Sequence, residues 1–192
     1  MTYQENYQKW LDFAELPAYL RDELVAMDEK TKEDAFYTNL EFGTAGMRGL
    51  IGAGTNRINI YVVRQATEGL AQLIDSKGEE AKKRGVAIAY DSRHFSPEFA
   101  FESAQVLAAH GIKSYVFESL RPTPELSFAV RHLHTFAGIM VTASHNPAPF
   151  NGYKVYGEDG GQMPPADADA LTDYIRAIDN PFTVKLADLE DS

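Results

Sequence analysis

The sequence predicts an α/β fold: a three-layer α/β/α domain with a mostly parallel or mixed sheet and an N-terminal helical arm. Three apolar runs of strand length, at 86–90, 114–117 and 138–141, are separated by two segments of helical length. This alternation of strands and helices favours right-handed crossovers between parallel strands, with helices covering both faces of the sheet. We therefore expect one α/β core.

The first forty residues are predicted to be helical. Leu20, Leu24 and Met27 recur at helical spacing after Pro17, and the segment 31–34 (TKED) resembles the capping box that starts a helix. The side chains expected to pack this arm against the rest of the chain are Trp10, Leu11 and Phe13.

A long helix is predicted from about Arg57 onward, before the first strand. Gly78 is a typical helix stop, and the charged residues 79–84 are expected to form a solvated segment after it. The residues that mark one face of this helix are Val62, Ala66, Leu70 and Leu73.

The later helices are predicted from their start signals. Ser96-Pro97 predicts the cap of a helix that ends at Gly111, and Thr123-Pro124 predicts the start of another. The segments expected near the end of the chain are a short strand at 152–156, a turn at 157–161 and a helix at about 166–178. The domain prediction is a helical arm at 1–40, an α/β domain at 41–184, and a tail or linker to an absent second domain at 185–192.

Composition and charge exclude several classes of function. The 192 residues carry 28 acidic against 18 basic side chains, a formal net charge of −10, which argues against binding to nucleic acid or anionic membrane. No apolar run approaches the roughly 20 residues of a membrane span, and the first residues lack a signal-peptide pattern. Zero cysteines exclude disulfides and thiolate metal sites. We expect a cytoplasmic protein.

A serine in a polar turn is the strongest candidate for chemistry. The segment 142–147 (TASHNP) directly follows the apolar run 136–141, so Ser144 would lie at the carboxyl end of a strand. Ligands of open α/β sheets bind beyond these ends, and irregular backbone there can turn several N–H groups toward one anion. Ser144 is therefore predicted to hold a phosphoryl group.

Three other segments supply cations for the same anion. They are 41–49 (EFGTAGMRG), 90–93 (YDSR) and 151–156 (NGYKVY), and their basic residues are Arg48, Arg93 and Lys154. For Arg93 an alternative remains open, in which Asp91 caps the turn and Arg93 pairs with Asp91 rather than with substrate. Gly43, Gly46 and Gly49 do not fit a dinucleotide fingerprint, and they are expected to let the backbone pass close to phosphate.

Taken in chain order, the serine segment and these three segments resemble the first domain of the phosphohexomutases, which are the phosphoglucomutase and phosphomannomutase family. The order is 41–49, 90–93, 142–147 and 151–156. The resemblance is strongest to the bacterial phosphoglucomutase branch. The resemblance extends from about Tyr7 to the end of the chain. It implies that Ser144 carries a phosphate and hands it to a hexose monophosphate, and that the enzyme interconverts the 1-phosphate and 6-phosphate through a bisphosphate.

The resemblance also implies roles for individual residues. The catalytic set would be Ser144, His145, Arg48 and Lys154, and the phosphate-binding set Thr44, Arg93, Thr142 and Asn146. Magnesium would bind through the phosphate on Ser144, and glucose 1,6-bisphosphate would act as activator. The aspartate ligands of the family's metal site are absent from this chain; Asp167 and Asp169 only superficially imitate them. The resemblance therefore predicts one domain of a longer mutase, inactive alone, whose partners are hexose phosphate and the missing C-terminal domains.

Other interpretations remain open on sequence alone. A phosphopentomutase or phosphomannomutase domain would share these motifs, although the helical arm and the FGTAGMRG segment favour glucose phosphates. A domain that binds phosphosugars or a partner without catalysis is the alternative from another class. A serine hydrolase is disfavoured because the chain has no G-x-S-x-G elbow. Structural roles are expected for His110, His132 and His134.

Overall fold

The structure of the protein, a computed structural model, describes residues 1–43 and 45–189. In these residues five strands form one mixed sheet in the order β1-β5-β4-β2-β3. The strands are β1 (Met47–Leu50), β2 (Val86–Tyr90), β3 (Ser114–Val116), β4 (Ala137–Val141) and β5 (Phe150–Tyr156). The helices are α1 (Tyr3–Asp12), α2 (Ala18–Ala26), α3 (Glu29–Phe36), α4 (Ile60–Lys77), α5 (Glu79–Arg84), α6 (Ser96–Ala109), α7 (Thr123–Leu133) and α8 (Pro165–Arg176), with a 3-10 turn at Pro181–Thr183.

The parallel half of the sheet confirms the predicted α/β alternation. Strand β2 pairs in parallel with β4 on one side and with β3 on the other, and α6 and α7 connect these strands. Every residue of β2 and β4 is buried, as expected for strands covered on both faces. Strand β3 is one residue shorter than predicted. This half places the carboxyl ends of β2 and β4 side by side.

The antiparallel half brings two cations to one face of the sheet. Arg48 of β1 lies opposite Gly152 of β5, and Lys154 follows two residues later. Because alternate residues of a strand share a face, Arg48 and Lys154 project on the same side. The β4 partner of Lys154 is Met140, which packs with Leu126 of α7, so this is the α7 side of the sheet.

The antiparallel strands β5 and β1 differ most from the prediction. Strand β5 begins at Phe150, two residues before the predicted start. Strand β1 was not predicted, because its four residues include a glycine and alternate between buried and exposed over too short a distance. Its pairing with β5 is antiparallel, and this makes the sheet mixed.

The N-terminal helices share the core of the α/β domain. Trp10 is buried and makes edge-to-face contacts with Phe36, Tyr61 and Phe182, and Phe13 stacks on Phe182 at 4.2 Å between ring centroids. Burial of a large aromatic side chain among other rings provides much of the packing energy of such a contact. The predicted packing of Trp10, Leu11 and Phe13 is confirmed.

Helix α4 also follows its prediction, whereas two local expectations were wrong. The buried face of α4 contains Val62, Ala66, Leu70 and Leu73, and the helix ends at Gly78. Residues 79–84, predicted to be a solvated charged segment, form the short helix α5, in which Ala81 is buried and Glu79, Glu80 and Lys83 are exposed. Thr31 lies inside α3, whose cap is Asp28, and the capping box occurs at Thr2 and Glu5. Ser96 is the first residue of α6 and its side chain does not cap the helix.

No helix in residues 1–43 and 45–189 has the length and apolar character that a membrane span requires. Residues 185–189 of the predicted tail form no regular element, and the N–H of Ala187 donates to the carbonyl of Gln105 at 3.1 Å. The remaining tail residues, 190–192, lie outside the described residues.

Candidate active site

Ser144 lies in the connection between β4 and β5, three residues after the end of β4. Ser144 has a left-handed backbone conformation, with φ of 55°, and it is exposed to solvent. The N–H of Ser144 donates to Oγ1 of Thr142 at 3.0 Å, and the N–H of Asn146 donates to the carbonyl of Ala143 at 3.1 Å. These two bonds tighten the turn and present the Ser144 hydroxyl to solvent. We call residues 142–150 the serine loop.

Lys154 contacts the Ser144 hydroxyl directly. Its ammonium Nζ donates to the serine Oγ at 2.7 Å, within the range of a strong hydrogen bond. Partial burial of the ammonium, followed by repulsion from Arg48, lowers the pKa of Lys154 below its ordinary value. A lysine with a lowered pKa exchanges protons more readily near neutral pH, so Ser144 and Lys154 form a candidate nucleophile and proton acceptor.

Arg48 places a second cation beside the serine loop. Its guanidinium Nη1 donates to the side-chain Oδ1 of Asn146 at 2.6 Å. Because Arg48 is exposed and lies on the same face of the sheet as Lys154, the two positive charges lie beside the loop that carries Ser144. In a chain of net charge −10, this local concentration of cations suits a phosphoryl group.

A glycine allows β1 to approach β5 at this point. Gly46 has φ of 79°, and a Cβ there would overlap the backbone carbonyl of Tyr153 and lie 2.9 Å from the Cα of Lys154. Only glycine adopts this backbone without strain and leaves room for the carbonyl. The sequence predicted that Gly46 lets the backbone pass close to phosphate; that stays a prediction, and the close approach present here is to β5.

Arg93 is directed into the serine loop. Its Nη1 donates to the carbonyls of Pro147 and Phe150, both at 2.9 Å. Its Nη2 donates to the carbonyls of Ser144 at 3.0 Å and Asn146 at 2.6 Å. The sequence predicted that Arg93 binds phosphate; that contact stays a prediction, and the bonds present are to backbone carbonyls.

A polar network below the loop holds Arg93; pairing of Arg93 with Asp91 was an alternative left open by the sequence, and the contacts of Ser96 and Asn151 were not predicted. Asp91 Oδ1 accepts from the Arg93 N–H at 2.9 Å and from the Ser96 hydroxyl at 2.8 Å, and its Oδ2 lies 3.5 Å from Arg93 Nε. The Asn151 amide Nδ2 donates to Ser96 Oγ at 2.9 Å and to the His94 carbonyl at 3.0 Å. The only sequence signal was that Asp91 and Asn151 lie in two of the motif segments.

The other predicted site residues have different surroundings. His145 is exposed, and its ring has no hydrogen-bond partner within the described ranges. The Ser144 hydroxyl bonds to Lys154 and not to an imidazole, so the geometry gives no support to a hydrolase-type pair. Thr142 is buried at the start of the loop. Thr44 lies outside the described residues, so its predicted phosphate contact stays a prediction.

The remaining predicted structural histidines lie on helix ends or surfaces. His110 follows α6 and its ring nitrogens contact Asp75 at 2.7 Å and Glu68 at 2.9 Å. His132 stacks on Phe128, and His134 caps α7 in a left-handed backbone. These contacts are structural in kind.

A metal-ion site is not formed by this chain's side chains as the structure describes them. In residues 1–43 and 45–189 no group of three or more histidine, aspartate or glutamate side chains is arranged to hold a metal ion. Asp167 and Asp169 are exposed residues of α8. A phosphate on Ser144 would provide an oxygen ligand, but the carboxylates that a divalent ion requires would have to come from outside these residues.

Comparison with known proteins shows a family match over most of the chain. Residues 39–182 match the family model described as phosphoglucomutase/phosphomannomutase, alpha/beta/alpha domain I. The chain is 41% identical over 169 residues to a phosphoglucomutase of Staphylococcus saprophyticus subsp. saprophyticus, with 88% of this chain and 30% of the relative covered. It is 43% identical over 188 residues to a phosphoglucomutase of Staphylococcus haemolyticus, with 95% and 32% covered.

A solved structure agrees with these sequence matches. A protein of Thermus thermophilus described as a phosphomannomutase superposes with a TM-score of 0.66 at 29% identity, covering 81% of this chain and 32% of that one. The chain thus spans about a third of the length of the relatives that it matches.

Proposed function

The chain belongs to the phosphoglucomutase/phosphomannomutase family, and from this premise we propose that it is the phosphoserine-bearing domain of a phosphoglucomutase. In this proposal the whole enzyme is an isomerase that interconverts glucose 1-phosphate and glucose 6-phosphate through a bisphosphate intermediate. The observation that carries the proposal is the 2.7 Å hydrogen bond between Lys154 Nζ and Ser144 Oγ, because it joins a nucleophile to a basic group.

The reaction proposed for Ser144 is a phosphoryl exchange with a sugar phosphate. In one direction the Ser144 Oγ attacks phosphorus of glucose 1,6-bisphosphate, the bond from phosphorus to the sugar oxygen breaks, and glucose monophosphate leaves. Neutral Lys154 takes the serine proton and, as an ammonium, returns it to the departing sugar oxygen, so the transfer leaves no net change in the protons on the enzyme. The reverse transfer returns the phosphoryl group to a sugar monophosphate.

Charge and position are the contributions of the surrounding residues. Arg48 and Lys154 lie beside the transferring group, where they offset charge that develops on its oxygens. His145 and Asn146 follow the serine in the same turn and are proposed to bind the phosphoryl group or substrate. Thr44 and Thr142 are proposed to bind phosphate through their hydroxyls.

Cofactor, partners and location are part of the same proposal. Magnesium would reduce the charge of the phosphoserine group, and glucose 1,6-bisphosphate would serve as activator. The described residues do not form a magnesium site on their own, so no step of the reaction is assigned to the ion. Further domains of the same enzyme are proposed as partners because the matching relatives are about three times as long. Action on soluble hexose phosphates fits a cytoplasmic location.

Phosphorylation of the purified chain tests the proposal. The chain and its Ser144→Ala variant are exposed to glucose 1,6-bisphosphate and magnesium, and intact mass and peptide mapping are measured. The isolated chain is not expected to isomerise a sugar phosphate, but a single transfer to Ser144 uses the residues around the serine loop, so we expect one phosphoryl group on the chain, at Ser144, and none on the variant. Phosphate on another residue would contradict the proposal, as would an unmodified chain that shows no binding heat with the bisphosphate. Saturable binding without phosphorylation would instead support a phosphosugar-binding domain.

A further inference from the structure

We propose that Arg93 is a positioning residue for phosphoryl transfer: it shapes the serine loop through backbone carbonyls and does not contact the phosphoryl group. This inference rests on the proposed function of Ser144 and concerns how that serine is held. The sequence left two roles open for Arg93, binding of phosphate and pairing with Asp91, and the inference assigns it to neither phosphate nor substrate.

The donors of Arg93 are already engaged. A guanidinium has five N–H donors in a fixed planar fork, four of them on its two Nη atoms. The four Nη donors match four hydrogen bonds, to the carbonyls of Ser144, Asn146, Pro147 and Phe150. The fifth donor is on Nε, which lies 3.5 Å from Asp91 Oδ2, the distance of an ion pair. With a side chain only 14% exposed and these four bonds made, Arg93 has no Nη donor left for a phosphoryl group.

The effect of these bonds is to gather carbonyl oxygens on one side of the loop. Carbonyl oxygens carry partial negative charge and would repel a phosphoryl group if they faced it. Arg93 binds the carbonyl of Ser144 itself, while the Ser144 hydroxyl bonds to Lys154. The serine residue is therefore held at its backbone by one cation and at its side chain by another, and its left-handed φ of 55° is fixed between them.

A second layer keeps the guanidinium in place. Asp91 accepts hydrogen bonds from the backbone N–H of Arg93 and from the Ser96 hydroxyl, and it forms an ion pair with the Arg93 guanidinium. Asn151 links Ser96 to the start of β5. The end of β2, the start of α6 and the start of β5 thus meet at one polar cluster. Because Arg93 is anchored to three rigid elements, it can impose one conformation on the serine loop.

Lysine cannot reproduce this arrangement. It has three donors on a single nitrogen, so it cannot reach four carbonyls that lie around a planar fork. Charge alone would be preserved by Arg93→Lys. The substitution therefore distinguishes two roles of Arg93: hydrogen bonding to the four carbonyls, which lysine loses, and attraction of the phosphate by its positive charge, which lysine keeps.

The test compares the full 192-residue chain with Arg93→Lys, and with Arg121→Lys as the matched control. Arg121 also donates to a backbone carbonyl, that of Leu120, but belongs to the segment before α7. The rate of Ser144 phosphorylation is measured against the concentration of glucose 1,6-bisphosphate. For Arg93→Lys we expect the maximal rate to fall about tenfold to 100-fold with a nearly unchanged half-saturating concentration. The control should retain the parent rate.

Other outcomes overturn the inference. A raised half-saturating concentration with a normal maximal rate would show that Arg93 binds the substrate. If the rate of Arg93→Lys falls only in proportion to the unfolded fraction measured by circular dichroism, Arg93 contributes to the stability of the fold and not to positioning. An unchanged rate would exclude positioning altogether.

Hydrogen exchange of the serine loop separates this inference from the proposed function. In Arg93→Lys the amides of 142–150 should exchange faster than in the parent chain, while those of α4 should not. If the parent chain takes up no phosphate, the proposed function fails, and hydrogen exchange still tests whether Arg93 orders the serine loop. Equal exchange in both proteins would overturn this ordering role of Arg93 whether or not Ser144 is phosphorylated.

Discussion

Arg48 and Asn146, 98 residues apart in the chain, are joined by a hydrogen bond of 2.6 Å between the guanidinium Nη1 and the amide Oδ1. This contact ties the exposed edge strand β1 to the serine loop. Without it, the long side chain of Arg48 would sample many rotamers in solvent, because exposed arginines lose considerable entropy when they are fixed. Asn146 therefore pre-orders one of the two cations beside Ser144.

The first prediction concerns this pair. Asn146→Ala should lower the rate of Ser144 phosphorylation by roughly tenfold, since Arg48 is then no longer held, while the free energy of unfolding changes by less than about 1 kcal/mol at this partly exposed site. The rate is followed by mass spectrometry and the stability by urea denaturation. Asn180→Ala, which removes a cap of the 3-10 turn, is the control and should leave the rate unchanged. Equal rate losses in both variants would refute the pre-ordering role of Asn146.

The second prediction concerns the pH dependence of phosphorylation. In the proposed reaction the neutral form of Lys154 accepts the serine proton, and the pKa of Lys154 lies below its ordinary value of 10.5. The rate should therefore rise with pH and level off below pH 10.5. Lys154→Arg remains charged and should lose this rise, whereas Lys113→Arg should keep it. An alkaline rise that survives in Lys154→Arg would assign the proton to another group.

The third prediction concerns stability and the His110 cluster. Burial opposes protonation of the ring, but hydrogen bonds to Glu68 and Asp75 outweigh it and raise the pKa of His110 above its ordinary value of 6.5. A raised folded pKa means that the stabilisation is fully present below pH 6.5 and is lost as pH rises through the folded value. The nearby ammonium of Lys82, 2.9 Å from Asp75 Oδ1, competes for the same carboxylate.

His110→Ala should therefore be less stable than the parent chain by about 1 kcal/mol or more near pH 6, with a smaller difference near pH 8.5. Urea denaturation across this range measures the difference. Phe128→Ala, which removes an exposed ring that does not titrate, is the control and should show an offset that does not depend on pH. A His110→Ala difference that grows toward alkaline pH would contradict stabilisation by the protonated ring.

The fourth prediction concerns the approach of β1 to β5. Gly46→Ala introduces a Cβ against the carbonyl of Tyr153 at a backbone φ of 79°, and should cost about 1–3 kcal/mol of unfolding free energy. It should also slow phosphorylation, because Lys154 is displaced with the strand. Gly43→Ala is the matched control, since no atom lies within 4 Å of its added Cβ. Similar stability for the two variants would show that the backbone contact at Gly46 is readily relieved.

The sequence predicted the elements whose signal is local. Buried strands β2 and β4 are continuous apolar runs, and α4 has a periodic apolar face that ends at a glycine, so periodicity alone was sufficient. Strand β1 was missed because it depends on pairing with β5, more than a hundred residues later. Ser96 was assigned to a helix cap because serine before proline is typical of one, whereas a tertiary contact with Asp91 uses its hydroxyl.

The sequence predicted which residues form the candidate site, but it did not predict which atoms each of them contacts. The motif segments identified Ser144, Arg48, Arg93 and Lys154, and the structure brings all four to the serine loop. What the sequence could not distinguish is which cation faces the hydroxyl and which faces the backbone. That distinction depends on the path of the loop carbonyls, which have no signature in residue identity.

The serine loop is also the connection of a β-hairpin, and this bears on the order in which the site forms. Ser144 and Lys154 are 10 residues apart, so their contact closes a short loop, whereas Arg48 reaches Asn146 across 98 residues. Short loops close at lower entropic cost and earlier in folding than long ones. A partially opened protein that has lost its β1 edge would keep the nucleophile beside its lysine and lose the arginine. The contact between Ser144 and Lys154 thus depends only on residues close together in the chain, whereas the second positive charge, that of Arg48, reaches the loop only in the completed fold.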